Sequence, residues 1–262
     1  MIKIEEVEVV GWRHAIRGMR NPMNSWDKSD STFTETATTQ TLDFSENPDG
    51  DIKTIYVPFD ALSIGPEDHK LMMNLRNAGN DHRKFMRMIV VYLDITAPLY
   101  WWKEFDTYKV GTVSNSCSTM HKIHAKEFEL EDFSWEQLLN TDCDLFDVEW
   151  DKGLFKNTVS PLAMLTNYII PSLNVCREKF LEVKTKPMKD ESKRGIVAKD
   201  YWWQMIQLLP TSYNQKRTIK LNYEVLANIY KSRRNHKLDE WRMFCDWIEE
   251  LPYSEIITGR TE

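Results

Sequence analysis

One joint in the chain limits the possible folds more than any other sequence feature. The segment Met86–Thr96 is rich in β-branched residues and is predicted to form a strand. Ala97-Pro98 follows directly, and the aromatic segment Leu99–Asp106 after it is predicted to form a helix. The sequence thus predicts that a strand passes directly into a helix at Ala97-Pro98.

The hydrophobic pattern of the remaining chain predicts further strands and helices. Ile2–Val10 alternates apolar and acidic residues, which predicts an opening strand. Helices are predicted over Gly11–Met23, Ser160–Val183 with a kink or break at Pro171, Lys199–Leu209, Asn214–Arg233 and Asp239–Leu251. We expect a single domain over residues 1–262, with loop insertions near residues 24–51, 128–153 and 184–195.

The composition is that of a globular protein and argues against two classes of partner. Of the 262 residues, 42% are hydrophobic and 28% are charged, which supplies ample apolar material for a core. The net charge is −6, whereas non-specific binding to duplex nucleic acid needs a basic face. No apolar run approaches the roughly 20 residues that a membrane span needs. The cysteines form no C-x-x-C pair, which predicts reduced thiols in a cytoplasmic protein.

Two segments resemble the flavin-dependent thymidylate synthases. In Leu71–Lys122, a helix, a strand, the Ala-Pro joint, an aromatic helix and the place of the signature R-H-R-x7-S follow in the family's order. Leu208–Trp241 aligns with the family without insertions or deletions. Four family positions are kept in this segment, namely Leu209-Pro210, Asn222, Asn228 and Arg233. The resemblance implies an α+β fold with an antiparallel sheet and long packed helices.

The resemblance also implies an activity. Members of this family methylate dUMP to dTMP with methylenetetrahydrofolate, reduced FAD and NADPH, and the redox chemistry belongs to the cofactors. The chain is therefore expected to be a methyltransferase that binds FAD and a pyrimidine nucleotide, dUMP by analogy. A homotetramer with its active site between subunits is implied as well.

Four residues are the expected cofactor contacts by the same resemblance. In the family the R-H-R triplet binds the flavin. Lys109 is the one cation at the three matching positions of this chain. Asn222 and Asn228 match flavin-contacting asparagines, and His82 lies near the position of a flavin-contacting histidine. A lysine offers a point charge without the two-pronged geometry of arginine.

Neighbouring motif positions depart from the family pattern. Thr107 and Tyr108 fill the other two places of the triplet, and Glu224 reverses the charge of a flavin-contacting arginine. Each charge-assisted hydrogen bond that is lost removes about 1.5–3 kcal/mol of attraction for a phosphate. We therefore expect a cofactor site that has been either lost or rebuilt.

The expected substrate site draws on four other residues. Ser118 matches the signature serine if one residue is inserted, and it is the candidate catalytic residue. Arg233 matches a nucleotide-binding arginine, and Glu104 stands where the family has a glutamine. Arg17 lies on the helix that lends an arginine to the nucleotide site in the family. A solvated basic face explains Arg17 equally well.

Other side chains suit structural roles better than chemical ones. Cys117, His121 and His124 lack a fourth ligand at a recognised metal-binding interval, so no metal site is predicted. Tyr100, Trp101 and Trp102 occupy successive helical positions, so they cannot all face one ligand and are expected in the core.

The sequence leaves two functions open. One is a divergent enzyme that binds or modifies a pyrimidine nucleotide. The other is a catalytically inactive protein that keeps the fold as a scaffold or an interaction surface.

Overall fold

A computed structural model of the protein describes residues 1–34, 55–56, 61–141, 147–149, 156–187 and 189–260. The chain divides into two compact units. The sheet unit comprises the described residues within Ile2–Thr96, Trp101–Ser116 and Lys216–Glu262. The hairpin unit comprises Met1, Ala97–Tyr100 and the described residues within Cys117–Gln215. Whether the whole chain behaves as a single domain stays a prediction.

The strands of the described residues form one larger sheet and two ribbons. Their bounds are β1 (Lys3–Val10), β2 (Thr32–Thr34), β3 (Ile55–Tyr56), β4 (Ala61–Ser63), β5 (Val90–Pro98), β6 (Val113–Ser116), β7 (Asp147–Glu149), β8 (Lys156–Thr158) and β9 (Asn214–Asn222). The five-stranded sheet has the order β3-β1-β5-β9-β6, and β2-β4 and β7-β8 are two-stranded. Strand β1 is antiparallel to β5, and β6 is antiparallel to β9, while β1 is parallel to β3. The expected antiparallel sheet is confirmed for these two pairs.

The helices of the described residues range from single turns to four turns. Their bounds are α1 (Trp12–Arg20), α2 (Pro66–Asn77), α3 (Leu99–Phe105), α4 (Thr119–Lys122), α5 (Pro161–Met164), α6 (Ile170–Thr185), α7 (Arg194–Leu208), α8 (Tyr223–Arg233), α9 (Asp239–Glu249) and α10 (Glu255–Thr258). None of the helices described has both the length and the apolar character required to cross a bilayer.

The predicted joint between strand and helix is confirmed, but the strand begins later than expected. Strand β5 ends at Pro98, and α3 begins at Leu99. Met86 and Arg87, the first two residues of the predicted strand, belong instead to a 3-10 turn over Arg83–Arg87. Phe85 and Met86 are both buried, although they are adjacent. Two adjacent buried residues suit a helical turn, whereas a strand that is buried on one face alternates.

Strand β9 corrects the prediction of a helix over Asn214–Arg233. The first nine of these residues are a strand, and only Tyr223–Arg233 is helical. Ile219 and Leu221 are fully buried, whereas Thr218 is exposed and Lys220 is half-buried. This period of two is that of a strand with one face on the core. The correction places Asn222 at the end of a strand and at the start of α8.

The core of the sheet unit is aromatic. Trp101, Trp102 and Phe105 of α3 are at most 1% exposed. The ring centroids of Trp101 and Trp241 of α9 are 4.7 Å apart, and Phe244 lies 5.8 Å from Trp101. Rings at these separations bury large areas and fix the two helices against each other. The prediction of core positions is confirmed for Trp101 and Trp102, whereas Tyr100 is only half-buried.

The hairpin unit is built on α6 and α7, which pack along each other. Leu173 and Phe180 of α6 and Met205 of α7 are buried between them and their neighbours. Pro171 neither ends nor splits the helical run, because a π-helical segment, Leu165–Ile169, precedes it. The wider turn accommodates a residue that has no N–H to donate. The prediction of a loop over 184–195 is wrong for most of its described residues, because α6 extends to Thr185, Glu191–Lys193 forms a 3-10 turn and α7 begins at Arg194.

The predicted insertions near 24–51 and 128–153 are described in part. The first forms a 3-10 turn over Trp26–Lys28 and then β2. The second contains a β-bridge between Phe133 and Tyr213. Residues 35–51, 142–146 and 150–153 lie outside the described residues.

Candidate functional site

The centre of the candidate site is an ion pair between Arg233 and Glu104 in the sheet unit. Glu104 lies on α3, and Arg233 is the last residue of α8. Arg233 donates from Nη1 to Glu104 Oε2 over 2.7 Å. The side chain of Arg233 is 18% exposed and that of Glu104 is 35% exposed, so solvent still reaches the pair. The structure therefore brings together two of the residues that the resemblance assigned to the substrate.

Three further residues complete this group, here called the Glu104 cluster. Arg233 donates from Nε to the Tyr108 hydroxyl over 2.9 Å. Trp241 donates from Nε1 to Glu104 Oε2 over 2.9 Å, and His236 Nε2 lies 3.4 Å from the same oxygen. The cluster thus consists of Glu104, Tyr108, Arg233, His236 and Trp241.

The orientation of the His236 ring follows from its other nitrogen. The backbone N–H of Leu238 donates to His236 Nδ1 over 3.2 Å. Because Nδ1 is the acceptor in that bond, the ring hydrogen is assigned to Nε2, the nitrogen near Glu104. The Nε2 of His236 therefore faces the carboxylate at 3.4 Å without forming a hydrogen bond to it.

Aromatic rings hold the guanidinium of Arg233 in place. Its Cζ lies 4.7 Å from the ring centroid of Trp241 and 5.6 Å from that of Tyr108. Trp241 is fully buried and packs on Trp101. A cation over an aromatic face is attracted by the ring and loses little freedom on pairing. Arg233 is consequently fixed by the core and has its charge balanced by Glu104.

The sequence identified only part of the cluster. His236 and Trp241 were not predicted as site residues. His236 follows Arg233 by one helical turn in a segment rich in cations, and this spacing is the only signal that the sequence offers. The sequence gives no sign that Trp241 belongs to the site. A tryptophan that only packs in the core and one whose indole N–H donates to a site residue look the same in a helical sequence pattern.

Asn222, an expected flavin contact, has a structural role. Its side chain is 6% exposed, and its Oδ1 accepts from the backbone N–H of Val225 over 3.0 Å. This is the N-cap hydrogen bond of α8. The position that the resemblance assigned to the cofactor therefore serves the start of a helix.

Asn228 belongs to a second charged group. Glu224 lies between two arginines, with Arg87 Nε 2.5 Å and Arg83 Nε 3.4 Å from its carboxylate. Asn228 is exposed, and its Oδ1 accepts from Arg83 Nη2 over 3.3 Å. The hydrogen bond to Glu224 raises the pKa of Arg87. The charge that Glu224 introduced is therefore compensated locally.

The remaining predicted residues lie outside these two groups. Lys109 and His82 are exposed, and within the described residues neither side chain has a hydrogen-bond or ion-pair partner. Arg17 is exposed on α1 and lies over the ring of Trp26, with its Cζ 5.7 Å from the centroid. Ser118 lies in the hairpin unit, where its hydroxyl accepts from the His121 N–H and caps α4.

The residues at the flavin positions do not fit a flavin that is held as in the family. The Asn222 carboxamide oxygen is already used by a helix N-terminus. Glu224 places a carboxylate where the family has an arginine, and it engages Arg83 and Arg87, the neighbouring cations that a pyrophosphate would need. We therefore assign no flavin chemistry to these residues.

The described residues offer no metal centre either. Among them, no group of three or more His, Cys, Asp or Glu side chains is placed to hold a metal ion. His124 packs on the ring of Phe180, with the centroids 4.6 Å apart.

Sequence comparisons find no match, whereas structural comparisons find proteins of similar fold. No model of a protein family and no curated protein matches the chain. Thymidylate synthase X from Helicobacter pylori with FAD and dUMP has 15% identity and a TM-score of 0.56, over 98% of this chain and 96% of that one. A second structure of the flavin-dependent Helicobacter pylori enzyme, complexed with FAD and dUMP, has 15% identity and a TM-score of 0.52, over 98% and 100%.

A third similar structure belongs to a related kind of enzyme. It is the UMP/dUMP methylase PolB from Streptomyces cacaoi bound with 5-Br dUMP, at 13% identity and a TM-score of 0.53, over 99% of this chain and 95% of that one. Similarity over nearly the whole length of each chain shows a shared fold, and at these identities it shows the fold alone. The chain has the α+β fold of the flavin-dependent thymidylate synthases.

Proposed function

We propose that this protein binds a pyrimidine nucleotide at the Glu104 cluster. The observation that carries the proposal is the pairing of Arg233 with Glu104, residues 129 positions apart that meet at 2.7 Å. Both stand at positions that the resemblance assigns to the substrate. A partly exposed arginine beside a carboxylate presents donors and an acceptor side by side, which suits the edge of a pyrimidine ring.

The proposal stops short of flavin-dependent methyl transfer. The resemblance predicts methylation of dUMP with FAD, NADPH and methylenetetrahydrofolate, and reduced FAD would supply the hydride chemistry. The Asn222 cap and the carboxylate of Glu224 do not fit that cofactor. Cytoplasmic location and assembly into a homotetramer also remain predictions from the sequence.

A second function is favoured by a separate observation. The charges at both groups are satisfied within the chain, since Glu104 pairs with Arg233 and Glu224 pairs with Arg83 and Arg87. Because no ligand is needed to balance these charges, the pairing favours a catalytically inactive scaffold. Under this alternative, pyrimidines and FAD bind nowhere on the chain.

A thermal-shift series separates the two functions, because a ligand that binds only the folded state must raise its stability. The ligands are dUMP, dTMP, deoxyuridine and FAD, and the proteins are wild type, Arg233→Ala and Arg217→Ala. Arg217 is a matched control, since it also pairs with a carboxylate, Asp106 at 2.7 Å, and lies over the ring of Trp102.

We expect at least one pyrimidine ligand to raise the melting temperature of wild type and of Arg217→Ala. No pyrimidine ligand should raise that of Arg233→Ala. Circular dichroism confirms that each variant is folded, and Arg233→Lys replaces Arg233→Ala if the latter is not. No shift of the wild-type protein with any pyrimidine would overturn the proposal. A visible absorption spectrum of fresh protein tests the FAD prediction independently.

A further inference from the structure

The carboxylate of Glu104 is held by donors on one side only. Arg233 Nη1, Trp241 Nε1 and His236 Nε2 all approach the same oxygen, Oε2, at 2.7, 2.9 and 3.4 Å. A carboxylate has two oxygens and about four acceptor sites. The second oxygen, Oε1, has no hydrogen-bond partner among the described residues, and the Glu104 side chain is 35% exposed. The pair thus leaves an accessible acceptor in a fixed place.

This acceptor is rigid because its supports are rigid. Trp241 is 0% exposed and packs in the aromatic core, so its indole N–H cannot move away from Glu104 without disturbing that core. Arg233 is fixed by the Tyr108 hydroxyl as well as by the ring of Trp241. A preorganised acceptor binds a donor more tightly than a mobile one, because less freedom is lost on binding.

The same geometry disfavours a phosphate at this position. The positive charge of Arg233 is already balanced, and a phosphate oxygen that approached it would meet the carboxylate at hydrogen-bond distance. Like charges at such a separation repel each other. A ligand group with an N–H has the opposite preference, since it would donate to Oε1.

We propose that Glu104 is a specificity-determining residue that selects a ring edge carrying an N–H donor and excludes a phosphate from the cluster. The inference rests on the proposed function and deepens it, because it states which part of the pyrimidine nucleotide contacts Glu104. The ligand class is a pyrimidine base with its N3–H or its exocyclic amino group directed at the carboxylate. The phosphate, where there is one, lies away from Arg233.

Binding calorimetry with matched nucleosides tests the inference. Deoxyuridine carries the N3–H, and 3-methyldeoxyuridine lacks it but is otherwise the same. Deoxycytidine supplies the amino donor in its place. The proteins are wild type, Glu104→Gln and Glu104→Ala, with Asp106→Asn as a control that removes a carboxylate elsewhere on the same segment.

We expect wild type and Asp106→Asn to bind deoxyuridine at least about tenfold more tightly than its methylated analogue, the ratio for one charge-assisted hydrogen bond. In Glu104→Ala the ratio falls to about one, apart from the steric effect of the methyl group. In Glu104→Gln the affinity ratio of deoxyuridine to its methylated analogue lies between the ratios of wild type and Glu104→Ala. The same variant should bind dUMP more tightly relative to deoxyuridine, because the carboxylate charge that repels the phosphate is absent.

Two other outcomes are distinguishable. An equal ratio in wild type and Glu104→Ala, with deoxyuridine binding intact, overturns the role of Glu104 and leaves nucleotide binding standing. Absence of binding of every pyrimidine to wild type and to Asp106→Asn overturns the proposed function and this inference together.

Discussion

Arg233 Nη1 donates to Glu104 Oε2 over 2.7 Å and joins the end of α8 to α3. The two side chains are 18% and 35% exposed, so the pair is neither a surface contact nor a fully buried one. In such an intermediate environment the attraction is screened less than at the surface, and the cost of desolvation is lower than in a dry core. The pair should therefore contribute measurably to stability as well as define the candidate site.

A double-mutant cycle measures this contribution. We expect Glu104→Gln, Arg233→Met and the double variant to give a coupling free energy of about 0.5–3 kcal/mol, as for residues in one hydrogen-bonded group. Urea denaturation of the four proteins supplies the free energies of unfolding.

A parallel cycle on Arg217 and Asp106 is the control. The side chain of Asp106 is 50% exposed, so this coupling should be only about 0.2–1 kcal/mol. A coupling between Glu104 and Arg233 below about 0.2 kcal/mol would contradict a stabilising pair.

The sequence predicts the elements of the site better than the contacts between them. The Ala97-Pro98 joint can be predicted because a segment rich in β-branched residues and an aromatic segment meet there. Strand β9 is not predicted, because the side chains of Asn214–Thr218 are all polar. Only Ile219 and Leu221 show the alternation of apolar and polar residues that is typical of a strand. The role of Glu104 cannot be predicted either, since its partners come from α8, α9 and the turn between them. The substitution of glutamate for glutamine is visible in the sequence, but the charge that balances it is not.

Replacement of Asp68 by asparagine should be among the most damaging single changes in the sheet unit. Asp68 is 0% exposed and accepts from Arg20 Nε and from the hydroxyls of Ser29 and Ser31, all within 2.7 Å. Burial alone would raise the pKa of Asp68, but the hydroxyls and Arg20 together lower it. Asparagine leaves the buried Arg20 charge unpaired, which costs about 3–5 kcal/mol.

The measurement for Asp68→Asn is urea denaturation as a function of pH. The lowered pKa means that the contribution of Asp68 is complete above the ordinary aspartate value of about 3.9 and is lost as pH falls through the lower folded value. Asp246→Asn, at a side chain that is 58% exposed, is the control and should change stability by no more than about 0.5 kcal/mol. Equal losses from the two variants would contradict the buried ion pair.

Asn222 should behave as a helix cap and not as a cofactor contact. Asn222→Ala removes the acceptor for the Val225 N–H and should lower the free energy of unfolding by about 0.5–2 kcal/mol. Asn222→Asp keeps the acceptor and should retain most of the stability. Ser160→Ala is a matched control, since the Ser160 hydroxyl caps α5 in the same way. A variant Asn222→Ala that is as stable as wild type but loses a flavin absorption band would restore the cofactor role.

His124 should make the hairpin unit less stable in mild acid. Burial is the main cause that lowers the pKa of His124, and the nearby charges of Lys184, Lys122 and Arg177 lower it further. Its Nδ1 is buried without a hydrogen-bond partner among the described residues, and its ring packs on Phe180. The folded state therefore resists protonation of a ring that the unfolded chain protonates near pH 6.5.

The sign of the pH effect follows from this difference. Above about pH 6.5 the histidine is neutral in both states and costs nothing. As pH falls from there through the lowered folded value, the unfolded state binds a proton that the folded state does not, so stability decreases. His124→Gln removes this dependence, so wild type should lose stability relative to the variant between about pH 7 and about pH 5.

A direct titration of the His124 ring by NMR checks the cause. Lys184→Gln removes the nearby charge with the largest effect, and the pKa of His124 should move up toward its ordinary value in that variant while burial still holds it below. A wild-type pKa at or above about 6.5 would contradict the packing of His124 on Phe180. A pKa that is lowered but does not respond to Lys184→Gln would exclude Lys184 as a cause and leave burial and the charges of Lys122 and Arg177.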